Sequence, residues 1–91
     1  MKTEKATAIV SLEDKQEVKE FSSWLTRNKK KIKAMSRNDG CGCCVDMFYM
    51  LIDSNIEENE TVGEAGSTFN ESKLLYSEQK DKYIDLLIDS Y

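Results

Sequence analysis

Histidine and proline are absent from the 91 residues, and glycine occurs four times and cysteine three times. Without histidine the chain lacks the commonest general base, the Ser/His and Cys/His nucleophile pairs and the commonest metal ligand. Catalysis would fall to carboxylates, lysines or thiols, so an ordinary hydrolase is not expected and the protein reads as a non-enzyme. The absence of proline and the scarcity of glycine exclude a linker-rich, low-complexity or collagen-like chain. Uninterrupted apolar runs are only a few residues long, too short to cross about 30 Å of hydrocarbon. The first ten residues, MKTEKATAIV, carry lysines but also Glu4, and their apolar run AIV is no signal-peptide core; a cytoplasmic protein is expected. An odd number of cysteines in a reducing compartment reads as free thiols rather than a disulfide framework.

What is present fits one small domain spanning residues 1–91, with a radius of gyration of roughly 12 Å and no room to enclose a deep substrate cavity. Hydrophobic residues make up 40% and charged residues 33%, with a net charge of −4. That charge is unevenly placed: residues 1–40 hold ten Lys/Arg against six Asp/Glu, and residues 41–91 hold three against eleven. A lopsided field of this kind steers charged partners and says nothing about fold.

β-Branched Thr7, Ile9 and Val10 predict a central strand over residues 5–11. Ser11 with Asp14 three residues on approximates a capping box and predicts a helix start. Val18, Phe21, Trp24 and Leu25 then recur at helical spacing and form a face that should lie on a sheet. A strand is expected over 31–37, a turn at Asn38, Asp39 and Gly40, and a second strand over 41–53. In that strand Cys43, Val45, Met47, Tyr49 and Leu51 share one face and Cys44, Asp46, Phe48, Met50 and Ile52 the other, so it should be an inner strand. Residues 54–67 read as an exposed acidic loop, and Asn70 as the cap of a last helix carrying Leu74, Ile84, Leu87, Ile88 and Tyr91. The expected fold is α+β, a small β-α-β-β-α two-layer sandwich of ferredoxin-like type or a truncated variant whose final strand is missing unless 61–69 supplies it.

Three features carry chemistry. Cys41, Cys43 and Cys44, in GCGCC, place three thiols within four residues and offer a soft metal or a redox reaction a set of ligands. Against this, zinc normally takes four ligands, no spaced C-x-x-C pair is expected to serve redox chemistry, the vicinal Cys43–Cys44 pair could form only a strained disulfide, and small thiols can simply fill a tight strand start. Cys41, nearest the turn, is expected to be the most exposed. The basic run Arg27, Lys29, Lys30, Lys31, Lys33 and Arg37 could neutralise phosphates, but no stacking aromatic accompanies it and nucleic acid is not the expected partner. The carboxylates Asp53, Glu57, Glu58, Glu60 and Glu64, extended by Asp85 on the last helix, could occupy a basic cleft built for a nucleic-acid backbone. They lack the spacing of a calcium loop. Tyr91 joins them as an interface anchor.

The segment RNDGCGCCVD, residues 37–46, following a helix with Trp24-Leu25, resembles small bacterial immunity or antitoxin proteins. The resemblance implies a non-enzymatic inhibitor, without cofactor, that binds a cognate toxin and occludes its active site. Joined to the acidic surface, it leads to the expectation of a basic protein toxin of nuclease type bound through Asp53, Glu57, Glu58, Glu60, Glu64, Asp85 and Tyr91. A thiol-based metal or redox module at Cys41, Cys43 and Cys44 is the first alternative and a small nucleic-acid binder the second; a homodimer is left open.

Overall fold

Alternation in the first strand, β1 (Thr3–Ser11), sends Ala6, Ala8 and Val10 into the core and leaves Lys5 and Ile9 outside. In this computed structural model, which describes residues 2–41 and 43–91, the chain then turns at Asp14. Its carboxylate accepts the amides of Gln16 (3.1 Å) and Glu17 (3.2 Å) and starts α1 (Lys15–Asn28). Such a cap contributes about 1 kcal/mol. Ser11 stays in β1 and plays no side-chain part in the cap, which corrects the expected capping box. The helix buries Phe21, Trp24 and Leu25 as their spacing predicts. It gives way at Lys29–Lys31 to a single 3-10 turn, where the lysines meet the negative end of the helix dipole.

Strand β2 (Ile32–Ser36) and strand β3 (Val45–Asp53) form the expected hairpin. A register irregularity between Ile32 and Ala34 puts Ile32 and Met35 in the helix-facing core and Ala34 on the opposite face. β3 pairs with β1 on one side and β2 on the other, so it is the middle strand. Phe48, Met50 and Ile52 face the helices, and Met47, Tyr49 and Leu51 face away, as the pattern predicts. The strand starts at Val45 rather than at residue 41, which leaves the cysteines in the connecting loop.

Two further strands lie where a loop and a helix are expected. β4 (Val62–Glu64) pairs with β1, and β5 (Leu74–Tyr76) with β2, giving a five-stranded antiparallel sheet in the order β4-β1-β3-β2-β5. The 61–69 segment therefore does supply a strand beside β1. The core of the arrangement is a split β-α-β unit with β3 inserted between β1 and β2. It is completed by β5 and by α2 (Ser77–Ser90), which buries Ile84 and Leu87 beside α1. Asn70 caps only the 3-10 turn Glu71–Lys73, and Leu74 belongs to β5, both corrections to the expected last helix.

Both helices cover one face of the sheet, making a two-layer α+β fold. Phe21 stacks with Trp24 (5.8 Å between centroids) and Phe48 (5.9 Å) at the centre of that core. On the other face a smaller cluster of Ala34, Tyr49 and Leu74 is partly covered by Phe69, whose ring meets Tyr49 edge-on at 5.4 Å. Among the described residues no helix is long and apolar enough to cross a membrane.

Candidate functional site

The loop between β2 and β3 is shaped by its polar residues. Asn38 is its hub: the side-chain oxygen accepts the amides of Gly40 (2.8 Å) and Met47 (3.0 Å), and the side-chain nitrogen donates to Asp46 Oδ1 (2.6 Å). The Asn38 amide donates to the Tyr83 hydroxyl (2.8 Å), and the Tyr91 hydroxyl donates to Asp46 Oδ2 (2.6 Å). Two tyrosines carried by the C-terminal helix and its end thus brace the base of the loop, and the buried Asp46 has both oxygens occupied. Burial holds the Tyr83 and Tyr91 phenols above their usual range, with the Asp46 carboxylate adding to the effect at each.

Asp39 faces the other side of the sheet. Its Oδ1 accepts from Lys73 (2.7 Å) and its Oδ2 from the Tyr49 hydroxyl (2.9 Å), which together hold its carboxyl below the ordinary range. Gly40 is there because nothing larger fits. A Cβ would stand 2.4 Å from the Val45 carbonyl oxygen and 3.0 Å from the Met47 nitrogen. On the far side of the loop the Leu12 amide donates to the Cys44 carbonyl (2.8 Å), tying it to the end of β1.

With Asn38, Asp39 and Asp46 consumed in bracing, the cysteines and the exposed Arg37 are the groups the loop presents. Cys41 and Cys43 are exposed and Cys44 is half-buried. The expectation that they fill a tight strand start is not met. Their sulfurs converge: Cys41 Sγ lies 3.3 Å from both Cys43 Sγ and Cys44 Sγ, and the latter two are 3.8 Å apart. The backbone of Cys44 and Cys43, followed by their thiols, stabilises the Cys41 thiolate and lowers its pKa to about 6. Cys44, whose thiol hydrogen-bonds with those of Cys41 and Cys43, is pushed up to about 11. Concentrated donors of this kind favour a thiolate, the form that binds metals and attacks disulfides.

One of these separations matches that of a metal-bound pair, and the two to Cys41 would open by about 0.5 Å on binding. Bonds of about 2.3 Å from zinc to sulfur, at the tetrahedral angle, set neighbouring sulfurs about 3.8 Å apart. The three thiols would occupy three vertices and leave the fourth open to solvent. Among the described residues no carboxylate joins them, and Asp39 and Asp46 are committed elsewhere. Cys41 and Cys44 stand in C-x-x-C spacing, which corrects the expectation that the segment holds no such pair.

The acidic residues scatter by comparison. Asp53 is buried at the end of β3 and accepts the Asn55 amide (2.9 Å), shaping a turn. Glu57 takes Arg27 through both oxygens (3.1 and 3.2 Å) and Asn28 (2.9 Å), so its carboxyl titrates below the usual range, and its carbonyl accepts Trp24 Nε1 (2.7 Å). Asp85 pairs with Lys29 (2.8 Å) and Tyr91 is committed to Asp46. Glu58, Glu60 and Glu64 are exposed, make no ion pair among the described residues, and line a shallow open groove together with Glu4. Of the basic run, Arg27 and Lys29 are taken up in these pairs, and the fully buried Trp24 offers no stacking face. No family model matches the chain, and comparison with curated proteins and with solved structures likewise finds no match.

Proposed function

We propose that this chain is a non-enzymatic metal-binding module that takes a soft, thiophilic ion, Cu(I) or Zn(II), on Cys41, Cys43 and Cys44. The observation that carries the reading is the convergence of three sulfurs within 3.8 Å on a loop that the side chains of Asn38 and Asp39 hold in place. Preorganisation of this kind is what a ligand set needs, because supporting contacts fix the geometry before the ion arrives. A reducing cytoplasm suits the site, since the thiols there stay free to coordinate. The open fourth vertex suits transfer of the ion to or from another thiol. Titration of the reduced protein with Zn(II) and with Cu(I), each against a chromophoric competitor, tests it. One ion per chain is expected, with binding weakened at least tenfold in Cys41→Ser, Cys43→Ser and Cys44→Ser. Equal affinity in the triple serine variant would overturn the reading.

A second reading is supported by the unpaired Glu4, Glu58, Glu60 and Glu64 around one groove, and by the resemblance to small immunity proteins. Here the acidic groove docks on a basic protein toxin, and complementary charge speeds association. Charge reversal at Glu58, Glu60 and Glu64 would slow association with that toxin and flatten its salt dependence. An unchanged on-rate would remove this reading and leave the thiol site untouched.

A further inference from the structure

Three sulfurs in contact have a second chemistry open to them. A disulfide needs its sulfurs at about 2.05 Å. Cys41 and Cys44 are already at 3.3 Å, so closure asks for roughly 1.3 Å of movement between groups on an exposed loop. The alternatives are less favourable. Cys43 and Cys44 are adjacent in sequence and 3.8 Å apart, and a bridge between neighbours strains the intervening peptide. Cys41 and Cys43 are also 3.3 Å apart but separated by one residue, so their bridge would close a smaller ring than the C-x-x-C spacing of Cys41 and Cys44 does.

Apart from the Cys44 carbonyl, which the Leu12 amide holds, the braced parts of the loop are those that do not carry thiols, so the Cys41 side is the one that moves. Asn38 and Asp46 are held from α1's neighbour in the helical layer, α2, through Tyr83 and the chain's Tyr91, and Gly40 lies against the β3 backbone. Movement at the tip therefore leaves the hairpin base and the sheet register intact. Cys41 is exposed and Cys44 half-buried, which makes Cys41 the sulfur that an incoming molecule reaches first.

We propose that Cys41 and Cys44 form a reversible dithiol/disulfide pair that exchanges with small disulfides of the glutathione class. The Cys41 thiolate attacks one sulfur of the incoming disulfide, forming a mixed disulfide and expelling the other sulfur as a thiolate. Cys44, giving its proton to solvent, then attacks Cys41 Sγ, closes the internal bridge and expels the second thiolate. The pair loses two electrons, the small disulfide gains them, and the two cysteine protons end on the two released thiols. Cys43 is left as a single thiol. This exchange stands independently of the metal reading. Where that reading also holds, closure removes two of three ligands and releases the ion, so that oxidation unloads the site.

The test uses the folded, reduced, metal-free chain in glutathione buffers of stepped redox poise, read by intact mass and by peptide mapping. The expected product is a chain lighter by two hydrogens with the bridge mapped to Cys41 and Cys44. Cys43→Ser should still close it while losing metal affinity, and Cys44→Ser should stop at a glutathione adduct on Cys41. A bridge mapped to Cys43, or loss of closure in Cys43→Ser, overturns the assignment. So does a wild-type chain that accumulates only glutathione adducts. A parallel arm follows Zn(II) released from loaded protein during oxidation. Failure to load zinc defeats the metal reading, and failure to form the mapped bridge defeats the exchange, so the two outcomes are read separately.

Discussion

Replacing Gly40 by alanine adds one methyl group at the point where the loop lies on the central strand. That methyl would stand 2.4 Å from the Val45 carbonyl oxygen, 3.0 Å from the Met47 nitrogen and 3.1 Å from the Asp46 Cα. All three are backbone atoms of β3, which at these positions is paired along its other edge with Ile9, Val10 and Ser11 of β1 and so resists retreat. The loop must lift instead, stretching the two bonds that Asn38 Oδ1 receives from Gly40 and Met47. Overpacking of this kind costs about 1–3 kcal/mol. Loss of glycine's freedom in the unfolded chain returns about 0.4–1 kcal/mol. The balance is a destabilisation of about 1–2 kcal/mol, or a fall in melting temperature of roughly 5–15 °C for a domain of this size. Thermal unfolding followed by far-ultraviolet circular dichroism measures it. Gly63→Ala and Gly66→Ala supply the internal comparison, because an added Cβ there meets nothing within 4 Å. Those variants should match or slightly exceed the wild type. Should Gly40→Ala melt with them, the close approach of loop and strand would be refuted, and with it the account of how the thiols are held.

Alkylation by iodoacetamide should label one thiol with a midpoint near pH 6, mapped to Cys41, because the backbone of Cys44 and Cys43 stabilises its thiolate; Cys44, pushed up to about 11, should stay unlabelled at neutral pH. A single midpoint at the ordinary thiol value for all three would contradict the geometry. Tyr91→Phe removes one of the two hydrogen-bond partners of the buried Asp46 and should cost about 1–3 kcal/mol by chemical denaturation at neutral pH. The same substitution should change the alkaline limb. Burial holds the folded Tyr91 phenol above its unfolded value, so only the unfolded chain loses that proton as pH passes about 10, and stability falls with rising pH. Tyr91→Phe should flatten that slope, and an unchanged slope would show the phenol is not shielded.

Much of the fold is legible because its central elements carry their own pattern. The alternation of Ala6, Ala8 and Val10, the spacing of Phe21, Trp24 and Leu25, and the two apolar faces around Phe48 and Tyr49 each state which side is buried. The edge strands carry no such statement. β4 and β5 are three residues long, too short for an alternating pattern to show, and exist because β1 and β2 offer unpaired edges. The start of α2 is hidden for a related reason. Ser77 has a positive φ of 50° and Tyr76 provides no side-chain cap, so no capping signal precedes the helix. At the site, the cysteines announce themselves by composition. The roles of Glu57 and Tyr91 do not, since their partners Arg27 and Asp46 lie 30 and 45 positions away. Acidity alone could not separate carboxylates that close contacts within the fold from Glu58, Glu60 and Glu64, which do not.

The Tyr91–Asp46 hydrogen bond joins positions 45 apart, and the Tyr83–Asn38 bond joins the same two regions. Contacts of such long range form only once the loop-closure entropy between them has been met, late in folding. The hairpin can therefore exist before its tip is organised, and a chain still folding presents three thiols on an unbraced turn. Selectivity at the tip is then a property of the finished molecule alone. Hydrogen exchange at the Asn38 amide should follow global opening of the domain rather than local fraying of the turn.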